Sequence, residues 1–523
     1  VRRGLFLAAA GLTALAGPAA AEGTQFGAIA FHDVVDTRAE RTDDAVTTQS
    51  LVDFFDWLKA DGWTPVSLAQ VEAAGKGGPP LPEKAILLGF DDGYRSFHER
   101  VYPLLLAYRY PAVLALVGSW MDVPAGGTVD YGGRPVPRER FLTWDQVRQM
   151  QASGLVEIAS HSHDLHRVVP STPQGNTGPS ARSWRWIGTQ ARYETDAEHR
   201  ARIEADLRRS RALIAAETGK APRALVWPFG RHSGPALEAA RAAGFEFAFT
   251  LEPERADARQ PMALHRYYPT WDPSLGILAW NLGFPAPRAE TVRLACVDLQ
   301  PMAALRGQAQ DDWLGGLIEQ VRRLGATDVV LDVGRVADGR MTSAWVPGTG
   351  APLEADIFGR AARQLGVRAG VAVHARIPAG ADAGGLAAAA ARAAPIDGLL
   401  FEPGSAGQAP PAEGRTRTDI RSARAGGTAA DGFAAATAID PRLRLMVTAP
   451  LAGPGPGTDR QLAPHGAPGG GAWLVPAHSG RLVVPAGVDP AAVQRQGATA
   501  LSLCPWKGTP LKGFSAATFP WLP

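Results

Sequence analysis

Between Phe26 and about Pro285, short apolar runs alternate with longer amphipathic ones, and this rhythm leaves few folds open. The runs "FGAIAFH", "KAILLGFDDG", "AVLALVGS", "GLVEIASHSH", "RALVWPFG" and "FEFAFT" are near-continuously hydrophobic, as strands buried on both faces must be. The stretches between them predict helices, and strand-helix-strand alternation builds a parallel sheet or a (β/α) barrel. The expected class is therefore α/β. "SLVDFFDWLKADG" reads as one helix, with Ser50 and Asp53 at capping-box spacing and Gly62 as its stop. "YRSFHERVYPLLLAYRY" places Phe97, Val101, Leu104, Leu105 and Tyr108 on one face despite Pro103, and "HRARIEADLRRSRALIAAETG" is a third helix. "VVPSTPQGNTGPSARS" reads as a long loop, and its place after a histidine cluster makes it an expected wall of a site.

A second unit starts near Thr291. "VRLACVDL", "LGGLIEQVRRLGATDVVLDVG", "IFGRAARQLGVRAGVAVHARI", "IDGLLFEPG" and "LRLMVTAPL" repeat the rhythm before the chain thins into Gly, Pro and Ala from about Gly404. Its length falls slightly short of the roughly 250 residues of a complete eightfold barrel, so a truncated or partly open one is expected. The opening "VRRGLFLAAAGLTALAGPAAAEG" follows the grammar of a secretory signal peptide cleaved near Ala21. The expected boundaries are 1–21 for the signal, 22–288 for the first unit and 289–523 for the second.

Past that opening, no apolar run approaches the roughly 20 residues that span a bilayer, so an exported, periplasmic and soluble mature chain is expected. No cysteine follows the signal to carry a lipid anchor, and an exported setting allows one disulfide between Cys296 and Cys504. With 53 basic and 51 acidic residues the charge is nearly balanced, which argues against nucleic acid as a partner.

The chemistry sits at the strand ends. Asp91 and Asp92 are adjacent like charges; just past a strand, with Gly93 permitting a tight turn, both can reach one pocket. Their repulsion calls for a nearby cation or for separate jobs. "SHSHDLH" crowds His161, His163 and His166 together, a donor set that with a carboxylate suits a zinc-like divalent ion. "AIAFHDV" offers His32 as a general acid, and "VWPFG" offers backbone N–H groups for an oxyanion. Two histidines and a carboxylate also suit an iron-dependent oxygenase, but the second aspartate and the separate histidine fit hydrolysis better.

"FDDG", the His-Ser-rich segment and the Pro-aromatic-Gly turn resemble the polysaccharide deacetylase (carbohydrate esterase 4) signature. "FHDV", "FDDGYRSFHERVYPLLLAYRYPAVLALVGSWMD" and "SHSHDLH" narrow the resemblance to PgaB-type poly-β-1,6-N-acetyl-D-glucosamine N-deacetylases, a circularly permuted subgroup whose acid-bearing strand comes first. The resemblance implies a distorted (β/α) barrel of the NodB-like type followed by a reduced glycoside-hydrolase-like barrel. It implies Asp92, His161 and His166 as ligands of a divalent ion (zinc, cobalt, nickel or iron), Asp91 as general base and His32 as general acid. Trp227 and Phe229 would line the oxyanion pocket, and Tyr94 would face substrate.

Because His161 and His166 are five apart, one more than the common spacing, His163 is a rival ligand; His265, in "LHRYYP", is the rival acid. Val226 stands where common members carry an arginine that orients the base, which implies slow turnover. In the second unit Glu402 stands where the family usually shows paired aspartates, so binding or scaffolding is expected there instead of hydrolysis. The implied partners are a β-1,6-linked N-acetylglucosamine exopolysaccharide of biofilms and an outer-membrane exporter. The competing readings are a deacetylase of chitin oligomers, peptidoglycan or xylan, and a non-catalytic carbohydrate-binding protein.

Overall fold

The computed structural model describes residues 23–40, 42–284, 292–337, 340–378, 383–401 and 428–447, together with the short strands Trp473–Val475, Arg481–Val483 and Ala500–Leu503. Residues 1–21, expected as a signal peptide, and Glu402 and Cys504 lie outside the described residues.

All six expected strands of the first unit form. In chain order they are β1 (Gln25–Phe31), β2 (Ala85–Phe90) and β3 (Ala112–Leu116), then a hairpin of β4 (Thr128–Tyr131) and β5 (Arg134–Pro137), then β6 (Val156–Ser160), β7 (Ala224–Val226) and β8 (Phe247–Phe249). These six run in the order β8, β7, β6, β3, β2, β1, each parallel to the next, and the short strand Ala256–Asp257 adds antiparallel at the start of β1. Strands adjacent in sequence are thus adjacent in space, which is how a singly wound barrel is built.

The barrel is closed by residues 264–267. On one side Leu264 N donates to Ala248 O and Thr250 N to Leu264 O, each at 2.9 Å; on the other Tyr267 N donates to Ala28 O at 2.8 Å and Ala30 N to Tyr267 O at 2.9 Å. This segment bridges β8 to β1, so the sheet's two open edges are satisfied by one extended stretch. It also carries Arg266 into the interior, where Gly89 makes room: a Cβ there would lie 3.1 Å from the guanidinium.

Helices pack the outside. Helix α1 spans Thr48–Ala60 and buries Leu51, Phe54, Phe55 and Leu58. Its cap is Thr47, whose side chain accepts from Ser50 N, so Ser50 lies inside the helix and not at its start; Thr47 holds the extended backbone a cap needs. The second predicted helix is split: Phe97–Val101 winds as a wide π-turn before α2 (Tyr102–Tyr108). Pro103 offers no N–H to the preceding turn, a physical reason for the wider winding. Helix α3 (Asp196–Thr218) opens on a Thr195/Glu198 capping box and stops at Gly219 in the left-handed region.

The stretch expected as a wall of the site docks the second unit instead. After a short hairpin (Val168–Pro170 with Thr177–Pro179), it sends Trp184 into the second unit's apolar cluster. Arg182, 1 % exposed, donates to the carbonyls of Ala391 and Ala394 at 2.7 and 3.1 Å and to Asp440 Oδ2 at 3.1 Å. Gly234 lies so close to Ala438 that a Cβ would sit 1.8 Å from its carbonyl oxygen.

That second unit has β9 (Val292–Val297), β10 (Asp328–Asp332), β11 (Ala372–Ile377), β12 (Gly398–Phe401), β13 (Arg444–Val447) and β14 (Ala500–Leu503). They form a parallel sheet ordered β13, β12, β11, β10, β9, β14, six strands among the described residues. Cys296, on β9, is disulfide-bonded. Among the described residues no helix is long and apolar enough to cross a membrane.

Candidate active site

The two adjacent aspartates are turned to one side by the backbone. Asp91 N still pairs with Phe31 O at 2.9 Å, and then Asp92 and Gly93 both take φ of 72°, a reversal that aspartate tolerates and glycine favours. Each carboxylate meets its own partners, which relieves the conflict between two like charges.

Asp91 is clamped by Arg266: Nη1 to Oδ1 is 2.8 Å and Nη2 to Oδ2 is 2.9 Å, with both side chains buried. Burial pushes the Asp91 carboxyl up, but the guanidinium outweighs it and holds the group below the usual carboxylate range. His32 Nε2 lies 3.9 Å from Asp91 Oδ2, and its ring packs on Tyr268 at 4.8 Å. The adjacent Asp33 is anchored by Ser96 Oγ at 2.7 Å and by Arg140, which holds the end of β1 in place.

Asp92 faces the histidines. Its Oδ1 is 3.4 Å from His161 Nε2 and 3.4 Å from His166 Nε2, while Oδ2 accepts from the Tyr131 hydroxyl at 2.8 Å. His161 Nδ1 lies 2.8 Å from Val226 O, which aims Nε2 at the aspartate. The five-residue spacing follows from the loop: Ser162 takes φ of 71°, and Asp206 of α3 accepts the N–H groups of His163 and Asp164 at 2.9 and 2.7 Å. That turn brings His166 back beside His161, with ring centres 5.1 Å apart.

These residues fit a divalent ion. One ligand atom each from Asp92, His161 and His166 lies within 4.8 Å of the others, and Asp92 Oδ1 and His166 Nδ1 are buried without a hydrogen-bond partner. Separations of 3.4 Å also match the edge of a tetrahedron whose centre is roughly 2.0–2.1 Å from each ligand. Burial pushes His166 down to about 4, leaving a neutral imidazole ready to ligate. Burial also opposes a charge on His161, but Asp92 and Asp91 raise it above its ordinary value.

The sequence model of the polysaccharide deacetylase family matches residues 78–248, which contain Asp91, Asp92, His161, His166 and the Pro-aromatic-Gly turn. The poly-β-1,6-N-acetyl-D-glucosamine N-deacetylase of Escherichia coli K12 is 38% identical over 355 residues, covering 68% of this chain and 53% of that protein. Residues 78–248 are a polysaccharide deacetylase domain. The chain spans about half the length of the curated relatives it matches first. Among solved structures, the Aggregatibacter actinomycetemcomitans de-N-acetylase is 36% identical with a TM-score of 0.47, covering 49% of this chain and 99% of that one. The BpsB deacetylase domain of Bordetella bronchiseptica is 39% identical with a TM-score of 0.43, covering 48% and 97%.

Within this polysaccharide deacetylase domain, several expected residues take other places. His163 lies outside the ligand cluster, its ring against Gly118. His265 Nδ1 pairs with Thr250 Oγ1 at 3.0 Å, which leaves His32 as the histidine beside Asp91. Trp227 is fully buried and stacked on His232, so it does not line the pocket. Tyr94 is buried between Phe141 and Tyr131 and does not form an open substrate surface. Phe229, at φ of 59°, is 38% exposed with its ring 4.6 Å from His166, so it does flank the site. The arginine missing at Val226 is supplied by Arg266 from the closing segment, so Asp91 has a cationic partner after all and the absence at Val226 no longer implies slow turnover. Tyr131 was likewise not foreseen.

Proposed function

We propose that this chain is a metal-dependent N-deacetylase of a β-1,6-linked N-acetylglucosamine polymer. The observation that carries the reading is the division of labour between the two aspartates: Asp91 on Arg266 beside His32, Asp92 on His161 and His166. Asp92, His161 and His166 would hold the ion; when bound, it would polarise the amide carbonyl and acidify a water beside it. Asp91, kept ionised by Arg266, takes the proton of the attacking water. As the carbon–nitrogen bond breaks, His32 gives a proton to the departing amine, leaving acetate and a glucosamine unit. The backbone N–H of the Phe229 turn would donate to the developing oxyanion, and the Phe229 ring, 4.6 Å from His166, shields one side of the pocket.

We assign residues 22–288 to the deacetylase unit and 289–523 to a glycan-binding second unit, in an exported, periplasmic chain that works with an outer-membrane exporter. The ion is one of zinc, cobalt, nickel or iron. The β-1,6 linkage is supported by the activity for which the Escherichia coli relative is named. The test is amine release from β-1,6-linked N-acetylglucosamine oligomers by metal-loaded protein, beside chitin oligomers and an Asp91→Asn variant. Release from the β-1,6 oligomers that is lost in the variant supports the reading. Release from chitin alone overturns the substrate, and no release with any of the four metals overturns the catalysis.

A further inference from the structure

The hydroxyl of Tyr131 stands between two carboxylates, 2.8 Å from Asp92 Oδ2 and 2.7 Å from Asp44 Oδ2. A phenol has one proton to donate, so it serves one of these oxygens at a time. The other oxygen of Asp92, Oδ1, has no hydrogen-bond partner and faces the Nε2 atoms of both histidines. Asp92 is thereby asymmetric: one oxygen is engaged by protein and one is left for a ligand.

The structure around Tyr131 is built to keep its hydroxyl there. Tyr131 ends β4, and Gly132 and Gly133 turn the hairpin with φ of 61° and 84°. Its ring packs 5.2 Å from Trp120. The hairpin's base is held by Arg138, 8% exposed, whose guanidinium donates to the carbonyls of Met121, Val123, Phe141 and Leu142 at 2.8 to 3.3 Å.

We propose that Tyr131 is a positioning residue that restricts Asp92 to ligation through one oxygen, holding Oδ2 back while Oδ1 faces the ion. The inference rests on Asp92, His161 and His166 being the metal ligands. One carboxylate oxygen with two imidazoles leaves positions free for water and a substrate carbonyl, whereas a two-oxygen clamp would occupy one of them.

The test uses the full chain, competitive chelator titration with zinc, and the visible absorption of the cobalt-substituted protein. Tyr131→Phe keeps the ring and removes only the hydroxyl. It is expected to weaken zinc binding by about 10- to 100-fold and to weaken the cobalt bands, because four-coordinate cobalt absorbs more strongly than sites of higher coordination. Asp44→Asn leaves the phenol proton to Asp92 and is expected to bind zinc like the wild type. Equal or tighter zinc binding by Tyr131→Phe with an unchanged cobalt spectrum overturns the proposal, as does an equal loss in Asp44→Asn. A wild-type chain that binds neither metal overturns the ligand assignment itself, a result distinct from a wild type that binds and a Tyr131→Phe variant that matches it.

Discussion

Arg266 and Asp91 are 175 residues apart in sequence, yet they meet in the barrel interior through two parallel hydrogen bonds of 2.8 and 2.9 Å. Planar, bidentate pairing of this kind fixes the carboxylate's orientation as well as its charge. Arg266→Gln would leave Asp91 buried without its cation, so its pKa rises. The acid limb of kcat/KM is expected to move to higher pH, and activity near neutrality to fall by roughly tenfold or more. Zinc affinity should change little, since the guanidinium contacts Asp91 and not Asp92. A pH–rate profile beside a zinc titration checks both parts.

Metal binding should weaken as pH falls, with a slope set by one histidine. His161 is raised above its ordinary value of 6.5, so below that raised value a proton must leave before it can ligate. His166, pushed down to about 4 by burial, is already neutral through that window and adds no second proton. Zinc affinity should therefore drop by about tenfold per pH unit between roughly pH 6.5 and pH 5. Chelator competition across that range measures the slope; a slope of two protons per ion would contradict the assignment.

The second unit's attachment rests on a buried ion pair. Arg182 and Asp440 are 1% and 0% exposed, so Arg182→Ala would strand a buried carboxylate. A loss of about 3–5 kcal/mol in unfolding free energy is expected, with the Asp92–His161–His166 cluster intact because Arg182 contacts none of its residues. Denaturant melts give the loss and zinc titration of the folded variant gives the control.

Glu194 should make stability depend on acid. Burial pushes its carboxyl up, but His199, Arg202 (2.7 and 3.0 Å) and the Arg185 N–H (3.0 Å) hold it well below its ordinary value of 4.5. A depressed carboxyl contributes stability above its unfolded pKa and loses it as pH falls through the folded one. Glu194→Gln should cost about 2–3 kcal/mol near neutral pH, and the gap from wild type should narrow from about pH 4.5 downward. Melting curves of both proteins across that range test the prediction.

Local chemistry in the sequence sufficed for the strands and for the residues at their ends. Buried parallel strands must be apolar along their length, and His32, Asp91, Asp92, His161 and His166 each stand just past such a run. The errors are also local. Ser50 resembles a cap, yet Thr47 has the backbone for one. Trp227 and Phe229, two apart, would share a face in a strand, but Phe229 takes φ of 59°, so its ring reaches the site while Trp227 stays buried. The Pro- and Gly-rich stretch before Arg182 shows polarity typical of a loop and nothing of what it packs against.

By itself, then, the sequence determined the α/β rhythm, the strands and the polar groups at their ends, because all of these depend on neighbours a few residues apart. Only the tertiary structure decided which groups meet. Closure of the barrel by residues 264–267 delivers Arg266 to Asp91, and the β4–β5 hairpin delivers Tyr131 to Asp92. Such contacts span 39 and 175 residues of chain, and no periodicity or spacing carries them. They exist because a buried charge must find a partner, and the folded backbone sets which side chains are near enough to serve.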